Sequence, residues 1–462
     1  MIYLKPFIGV FLAMGLSTGA VAQPQPPMAS YVEMSSDNQV VVLVITRDDH
    51  CPSVVIDNQT VNMDERVQPQ TIAQRPTASS PDLSKPSEFP VRVCERFASR
   101  HVRSISLLGQ ALPVPKAVIN RIIVIGDTGC RLKAADKAYQ ACNDPKAYPF
   151  ARVAAQAAGF KPDLIVHVGD YLYRENPCTD DKVCAGSPWG YGWEAWQADF
   201  FGPAQALLHA APLALSRGNH ESCARAGQGW WRFLDPRPLI AHQDCNIASD
   251  DEVGDYSAPY GLDLGQGAQM IMFDSSNSSK KAIATTDPQF KQYDDNYQAI
   301  DAISSKADYN FLVDHHPLLS VSAGEKKGVV KLSGGSQSLQ SVFGHEGRPL
   351  VPAHIDVLLS GHVHVWEQVS FSNDLPSQFV AGFSGTEEDK VPLPEKVTGL
   401  IDPADGAKIS AFSSWVDGFG YMTLERQTVS HWDVKIWDLN GQVVNHCVIT
   451  GKASHCDKAQ VK

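Results

Sequence analysis

The sequence predicts an α/β protein with a β-rich module ahead of it, on three observations. From Ile122 onward, short apolar runs, broken only by His167, recur at 122–125, 164–168, 213–215, 270–273, 311–313 and 357–359. A strand that is apolar at every position is covered on both faces, as in sheets flanked by helices. Between the runs lie stretches whose apolar residues have helical spacing. Ahead of them, residues 23–118 are marked by β-branched runs around a Pro- and Ser-rich interruption.

Residues 1–22 read as a secretory signal. Lys5 supplies the positive end, Phe7 to Leu16 the apolar run, and Ala20-Val21-Ala22 a small-residue cleavage site before Gln23. The run is too short to span a bilayer comfortably, and no second membrane segment is evident. We therefore expect a periplasmic or secreted protein, cleaved after Ala22. The ten cysteines are even in number and none are spaced Cys-x-x-Cys, which favours disulfides over a thiolate zinc site. Neighbours in sequence suggest Cys51 with Cys94, Cys130 with Cys142, Cys178 with Cys184, Cys223 with Cys245, and Cys447 with Cys456, although connectivity does not follow from spacing.

Within the module, residues 39–46, 90–93 and 103–108 are strand-like, and the stretch 61–90 reads as a long or poorly ordered loop. Nothing here converges on chemistry. The expectation is an accessory domain over 23–118, joined by Leu112-Pro-Val-Pro115 to a catalytic domain over 119–462. Beyond the linker come helical patterns: Ala-rich 150–160, then 192–209 with Trp193, Trp196, Phe200 and Leu207, then a face of Phe290, Tyr293, Tyr297, Ile300 and Ile303. These aromatic stripes are read as core. The chain closes with alternating strands at 421–425 and 432–437, with a hairpin turn at 438–441.

The chemistry sits at the ends of the apolar runs. Five of the six lead into a metal-binding type of residue: Asp127, Asp170, Asn219, His315, and the pair His362 and His364. The sixth leads into Asp274-Ser275-Ser276. Sites in α/β sheets form at the carboxyl ends of strands, so residues far apart in sequence meet there. A carboxylate such as Asp170 has two oxygens and can bridge two cations, while Asn219 is a neutral oxygen ligand. Five of the 15 histidines (220, 315, 316, 362 and 364) fall in these short motifs. Together they point to a two-metal site for hydrolysing phosphate esters. The net charge of −12 argues against binding a nucleic-acid polymer, but local metal charge leaves a small phosphorylated substrate, short nucleotides included, compatible.

The order Asp127, Gly-Asp170-x-x-Tyr173, Gly-Asn219-His220-Glu221, His315-x-Pro317, Gly-His362-x-His364 resembles the calcineurin-like metallophosphoesterases, over about residues 121–437. More narrowly it resembles the purple acid phosphatases. Most of the superfamily begins with Asp-x-His, but here Gly129 stands at that position, and the purple branch uses a tyrosine that is present as Tyr173. The resemblance implies a β-sandwich flanked by helices in αββα layers. It implies one metal held by Asp127, Asp170, Tyr173 and His364, and a second held by Asp170, Asn219, His315 and His362. Phenolate and carboxylates suit Fe(III); Asn and two His suit Fe(II), Zn(II) or Mn(II).

His220 would contact the phosphate or protonate the leaving alkoxide, with Glu221 orienting it. The family's further histidine, in the loop after His-x-Pro, is missing, so either His316, or a cation such as Lys326 or Lys327, takes that role, or protonation of the leaving group is weaker. Arg131 and Arg174 are candidates for binding phosphate. The function implied is a phosphomonoesterase of the acid-phosphatase kind. Two other readings stay open: a phosphodiesterase or nucleotidase with a Mn or Zn centre, and a catalytically inactive binding protein on the same fold.

Overall fold

The six apolar runs all become strands, three in each of two stacked sheets. The computed structural model describes Met1, residues 27–278 and residues 281–461. The expected secretory signal, apart from Met1, and its cleavage point lie outside them.

In chain order, the first sheet takes β1 (Ala29–Ser35), β2 (Gln39–Thr46), β3 (Asp64–Val67), β4 (Arg92–Ser99), β5 (Arg121–Ile125), β6 (Leu164–His167) and β7 (Leu213–Leu215). The second takes β8 (Tyr260–Gly265), β9 (Ala268–Met272), β10 (Tyr309–Val313), β11 (Val357–Ser360), β12 (Trp366–Phe371), β13 (Ser377–Ala381) and β14 (Ile409–Trp415). The chain then returns to the first sheet as β15 (Gly420–Thr428), β16 (His431–Asp438), β17 (Val443–Thr450) and β18 (Ala453–Cys456). The first sheet runs β18-β17-β16-β15-β5-β6-β7-β1-β2-β4-β3, and the second β8-β9-β10-β11-β13-β12-β14. The strands that bear the motifs are parallel, β5 to β6 to β7 and β9 to β10 to β11.

Alternation within these strands explains why they are apolar throughout. Ile122 and Val124 of β5 pack between the sheets with Met270, Phe311 and Val357. Ile123 and Ile125 face the other way, onto Val153, Ala154 and Ala157 of helix α1 (Phe150–Gly159). Ile271, Leu312 and Leu358 of the second sheet turn outward onto Tyr293, Tyr297 and Ile300. Those three belong to the helix Pro288–Ser304, whose start is set by Pro288 and by the Asp287 side chain accepting from the Gln289 amide. Each strand thus serves two cores, and the layers run helix, sheet, sheet, helix.

The N-terminal region extends the first sheet. β1 lies parallel beside β7, with Glu33 opposite Leu213, and β2 pairs antiparallel along its whole length. The stretch 61–90, expected as a loop, contains short strands at Asp64–Val67, Gln70–Ile72 and Ser87–Phe89. Ile72 and Phe89 enter the core, and buried Arg66 pairs with Glu95 at 2.6 Å. Strands of three or four residues leave too short an alternation to read. Residues 192–209 also differ from one helix: the turns Trp193–Trp196 and Gln197–Phe201 stop at Gly202-Pro203, and Gln205–Leu208 restarts. Their aromatic residues are buried, as expected. All five disulfides join the expected sequence neighbours. No described helix is long and apolar enough to cross a membrane.

Candidate metal centre

Three of the motif residues adopt a backbone that side chains rarely tolerate. Asp127 has φ 52°, Asp170 61° and His362 71°. Such strain persists only where the surroundings enforce it. The Asp127 amide donates to the Gly169 carbonyl and the Thr128 amide to the Asp170 carbonyl, each at 3.0 Å, so the first two motif loops hold each other. A buried carboxylate completes the clamp. Glu221 accepts from the amides of Asp170 (3.1 Å), Tyr171 (2.9 Å), Leu172 (3.2 Å) and Gly218 (3.2 Å). Gly218 allows this approach, since a side chain there would collide with Asp170.

The strand ends bring all seven expected ligands together. The Tyr173 hydroxyl is 2.8 Å from Asp127 Oδ1, 2.8 Å from Asp170 Oδ2 and 2.9 Å from His364 Nε2. On the other side of Asp170, Asn219 Oδ1 is 3.1 Å from His315 Nε2 and 2.9 Å from His362 Nδ1. His315 Nε2 is 3.2 Å from Asp170 Oδ2. Two imidazoles are aimed from behind: His315 Nδ1 donates to the Val168 carbonyl and His364 Nδ1 to the Glu387 carbonyl, both at 2.9 Å.

Electrostatics in this cluster are those of groups sharing too few protons. Burial opposes ionisation of Asp170, yet His315 and His220 hold its carboxyl well below the usual range. Burial opposes charge on His315 too, and Asp170 nonetheless raises it to about 10. Burial, then Asp127 and Asp170, push the Tyr173 phenol well up. Asp170, His315 and His362 offer ligand atoms all within 4.8 Å of one another. The donor set fits two cations: oxygen-rich around Tyr173, nitrogen-rich around Asn219, with Asp170 facing both.

A cavity of about 710 Å³ opens over these residues, and His220 and His316 line it. The His220 ring lies 3.8 Å from that of Tyr173, and the His316 ring 4.2 Å from that of His362. Glu221 is on the far side of its loop, bonded to backbone amides, so it does not orient His220. Glu175 is there instead: its Oε1 is 2.9 Å from His220 Nδ1, which also lies 3.1 Å from the Leu172 carbonyl. Arg174 is turned away from the cavity into a buried pair with Asp199 at 2.5 Å. Arg131 does line the cavity, held by Asp136 at 2.8 Å. Lys326 and Lys327 are exposed at the tip of the hairpin Ser322–Lys326 and Val329–Ser333 and do not line it. Sequence reasoning missed Glu175, Asp199 and Arg225, since nothing in their spacing ties them to the motifs.

No curated protein sequence matches the chain. Among solved structures, it resembles a purple acid phosphatase isolated from yellow lupin (Lupinus luteus) seeds, at 13% identity, covering 92% of this chain and 73% of that one, with a TM-score of 0.53. It also resembles PhoD, at 14% identity, covering 96% and 94%, with a TM-score of 0.51. At such identities the likeness is one of fold. The family model of the calcineurin-like phosphoesterases matches residues 120–366, more than half of the chain. From the first motif strand to the last histidine pair, the chain belongs to the calcineurin-like phosphoesterases and is a metal-dependent phosphoric ester hydrolase.

Proposed function

We propose that the protein is a dinuclear-metal phosphomonoesterase of the purple acid phosphatase kind. The observation that carries this reading is the position of Asp170 between two unlike donor groups, one of them centred on a tyrosine hydroxyl. Asp127, Asp170, Tyr173 and His364 would hold Fe(III); Asp170, Asn219, His315 and His362 would hold Fe(II), Zn(II) or Mn(II). Two cations held there supply an activated water nucleophile and neutralise charge that grows on the phosphoryl oxygens. The chain's own residues do the rest. His220 and His316 border the site from two sides and are assigned the contacts to the phosphate and delivery of a proton to the leaving alkoxide. Glu221 fixes the backbone that presents Asp170. Residues 23–118 serve as an accessory region, and the five disulfides support a periplasmic or secreted location.

The test is hydrolysis of an aryl phosphate monoester against the matching diester between about pH 4 and 9, with Asp170→Ala as the blank. Monoester turnover favoured at acid pH supports the proposal. Diester turnover near neutral pH favours the phosphodiesterase reading, for which the roomy cavity speaks.

A further inference from the structure

The loop after Pro317 has no histidine, and its lysines do not line the cavity. The cations that do are Arg131, Lys133 and Arg225. Arg131 and Lys133 share the Asp136 carboxylate, at 2.8 and 3.5 Å, on the more open part of the wall. Arg225 is different: it is built into the site, with 9% of its side chain exposed.

Its guanidinium grips Glu175 with two bonds, Nη2 to Oε1 at 2.5 Å and Nε to Oε2 at 3.1 Å. Nη1 lies 3.3 Å from the carbonyl of Asn219, itself a proposed ligand, and Nη2 lies 3.1 Å from His220 Nε2. Four of five N–H donors are directed at protein acceptors, which leaves one on Nη1 for a ligand. The contact with His220 fixes a tautomer. An arginine N–H needs a lone pair, so Nε2 of His220 is the acceptor in this arrangement and the ring proton is on Nδ1, facing Glu175 and the Leu172 carbonyl; His220 delivers a proton to a leaving group only after taking a second one on Nε2, in place of the Arg225 contact. The permanent positive charge beside the Asn219 loop therefore belongs to Arg225 rather than to His220.

We infer that Arg225 binds a non-bridging phosphoryl oxygen of the ester, and of the inorganic phosphate released, in place of the histidine that the loop after Pro317 lacks. Glu175 is its positioning residue. The pair is buried and bidentate, so the guanidinium is fixed before substrate arrives. This inference rests on the proposed phosphoesterase function.

The experiment uses the metal-loaded protein with inorganic phosphate as the probe. Phosphate binding is measured by calorimetry and by competition against an aryl phosphate, for the parent, Arg225→Lys and the double variant Glu175→Gln/Arg225→Gln. The double variant leaves no unpaired buried charge, and metal content and melting temperature check that each is folded. If the double variant does not fold, Arg225→Lys decides. We expect the phosphate dissociation constant to rise about tenfold or more in both, with metal content kept, and KM to rise with it. Phosphate binding unchanged in the variants, with only kcat reduced, overturns the inference and leaves Arg225 as a support for His220. A parent protein that neither binds phosphate nor hydrolyses esters overturns the phosphoesterase reading, and the inference with it.

Discussion

The Tyr173 hydroxyl lies 2.8 Å from Asp170 Oδ2, three residues earlier in the chain, and equally far from Asp127 Oδ1. A phenol buried between two carboxylates keeps its proton unless a cation replaces it. Protein loaded with iron should therefore be coloured by phenolate-to-Fe(III) charge transfer. Tyr173→Phe should abolish the visible band. A colourless parent protein with its full complement of zinc would defeat the Fe(III) assignment.

Asp170→Ala removes the one carboxylate that faces both donor groups. We expect loss of both metals, read by elemental analysis, and with them all ester hydrolysis. Retention of one full equivalent of metal would show that Asp170 serves a single ion.

His220→Ala should behave differently. Its backbone amide donates to Asp170 Oδ1 at 2.8 Å and survives the substitution. Metal content should hold while turnover falls by roughly two to four orders of magnitude, the range for a lost proton-transfer group. Unchanged turnover would remove His220 from the reaction.

Glu367 carries a pH dependence of stability. It is 1% exposed on β12; Oε1 accepts from the Val321 amide at 2.9 Å, and Oε2 has no partner among the described residues. Burial pushes its carboxyl up to about 8 from an ordinary 4.5. Between those values the folded chain holds a proton that the unfolded chain does not. Its stabilising effect is complete below the lower value and is lost at about 1.4 kcal/mol per pH unit toward the upper one. Glu367→Gln should melt above the parent at pH 8, with the gap closing toward pH 5. A gap independent of pH would refute this.

The ligands were legible because each comes after an apolar run, and a buried strand that ends in a polar residue is a local signal. The division of those runs between two sheets was not legible, since a strand apolar at every position does not say which face meets which layer. Glu221 shows the limit more sharply. It comes directly after His220 in sequence, yet consecutive side chains point apart, and its carboxylate went to four amides of its own and a neighbouring loop. Glu175 reached His220 from 45 residues away through the fold alone. Arg174 looked like a phosphate ligand beside Tyr173, but its guanidinium is buried with its Nε on Asp199, whose other oxygen accepts from the Tyr173 amide at 2.8 Å.

β5, which delivers Asp127, is flanked by β6 on one side and by β15 on the other. β15 is drawn from residues 420–428, near the end of the chain. The first motif strand therefore has one edge unpaired until residues 420–428 reach it, and such an edge invites pairing with other chains. The residues that close it contribute no ligand to the centre. A chain cut short before residue 420 would keep every motif and leave the strand of the first one without that neighbour.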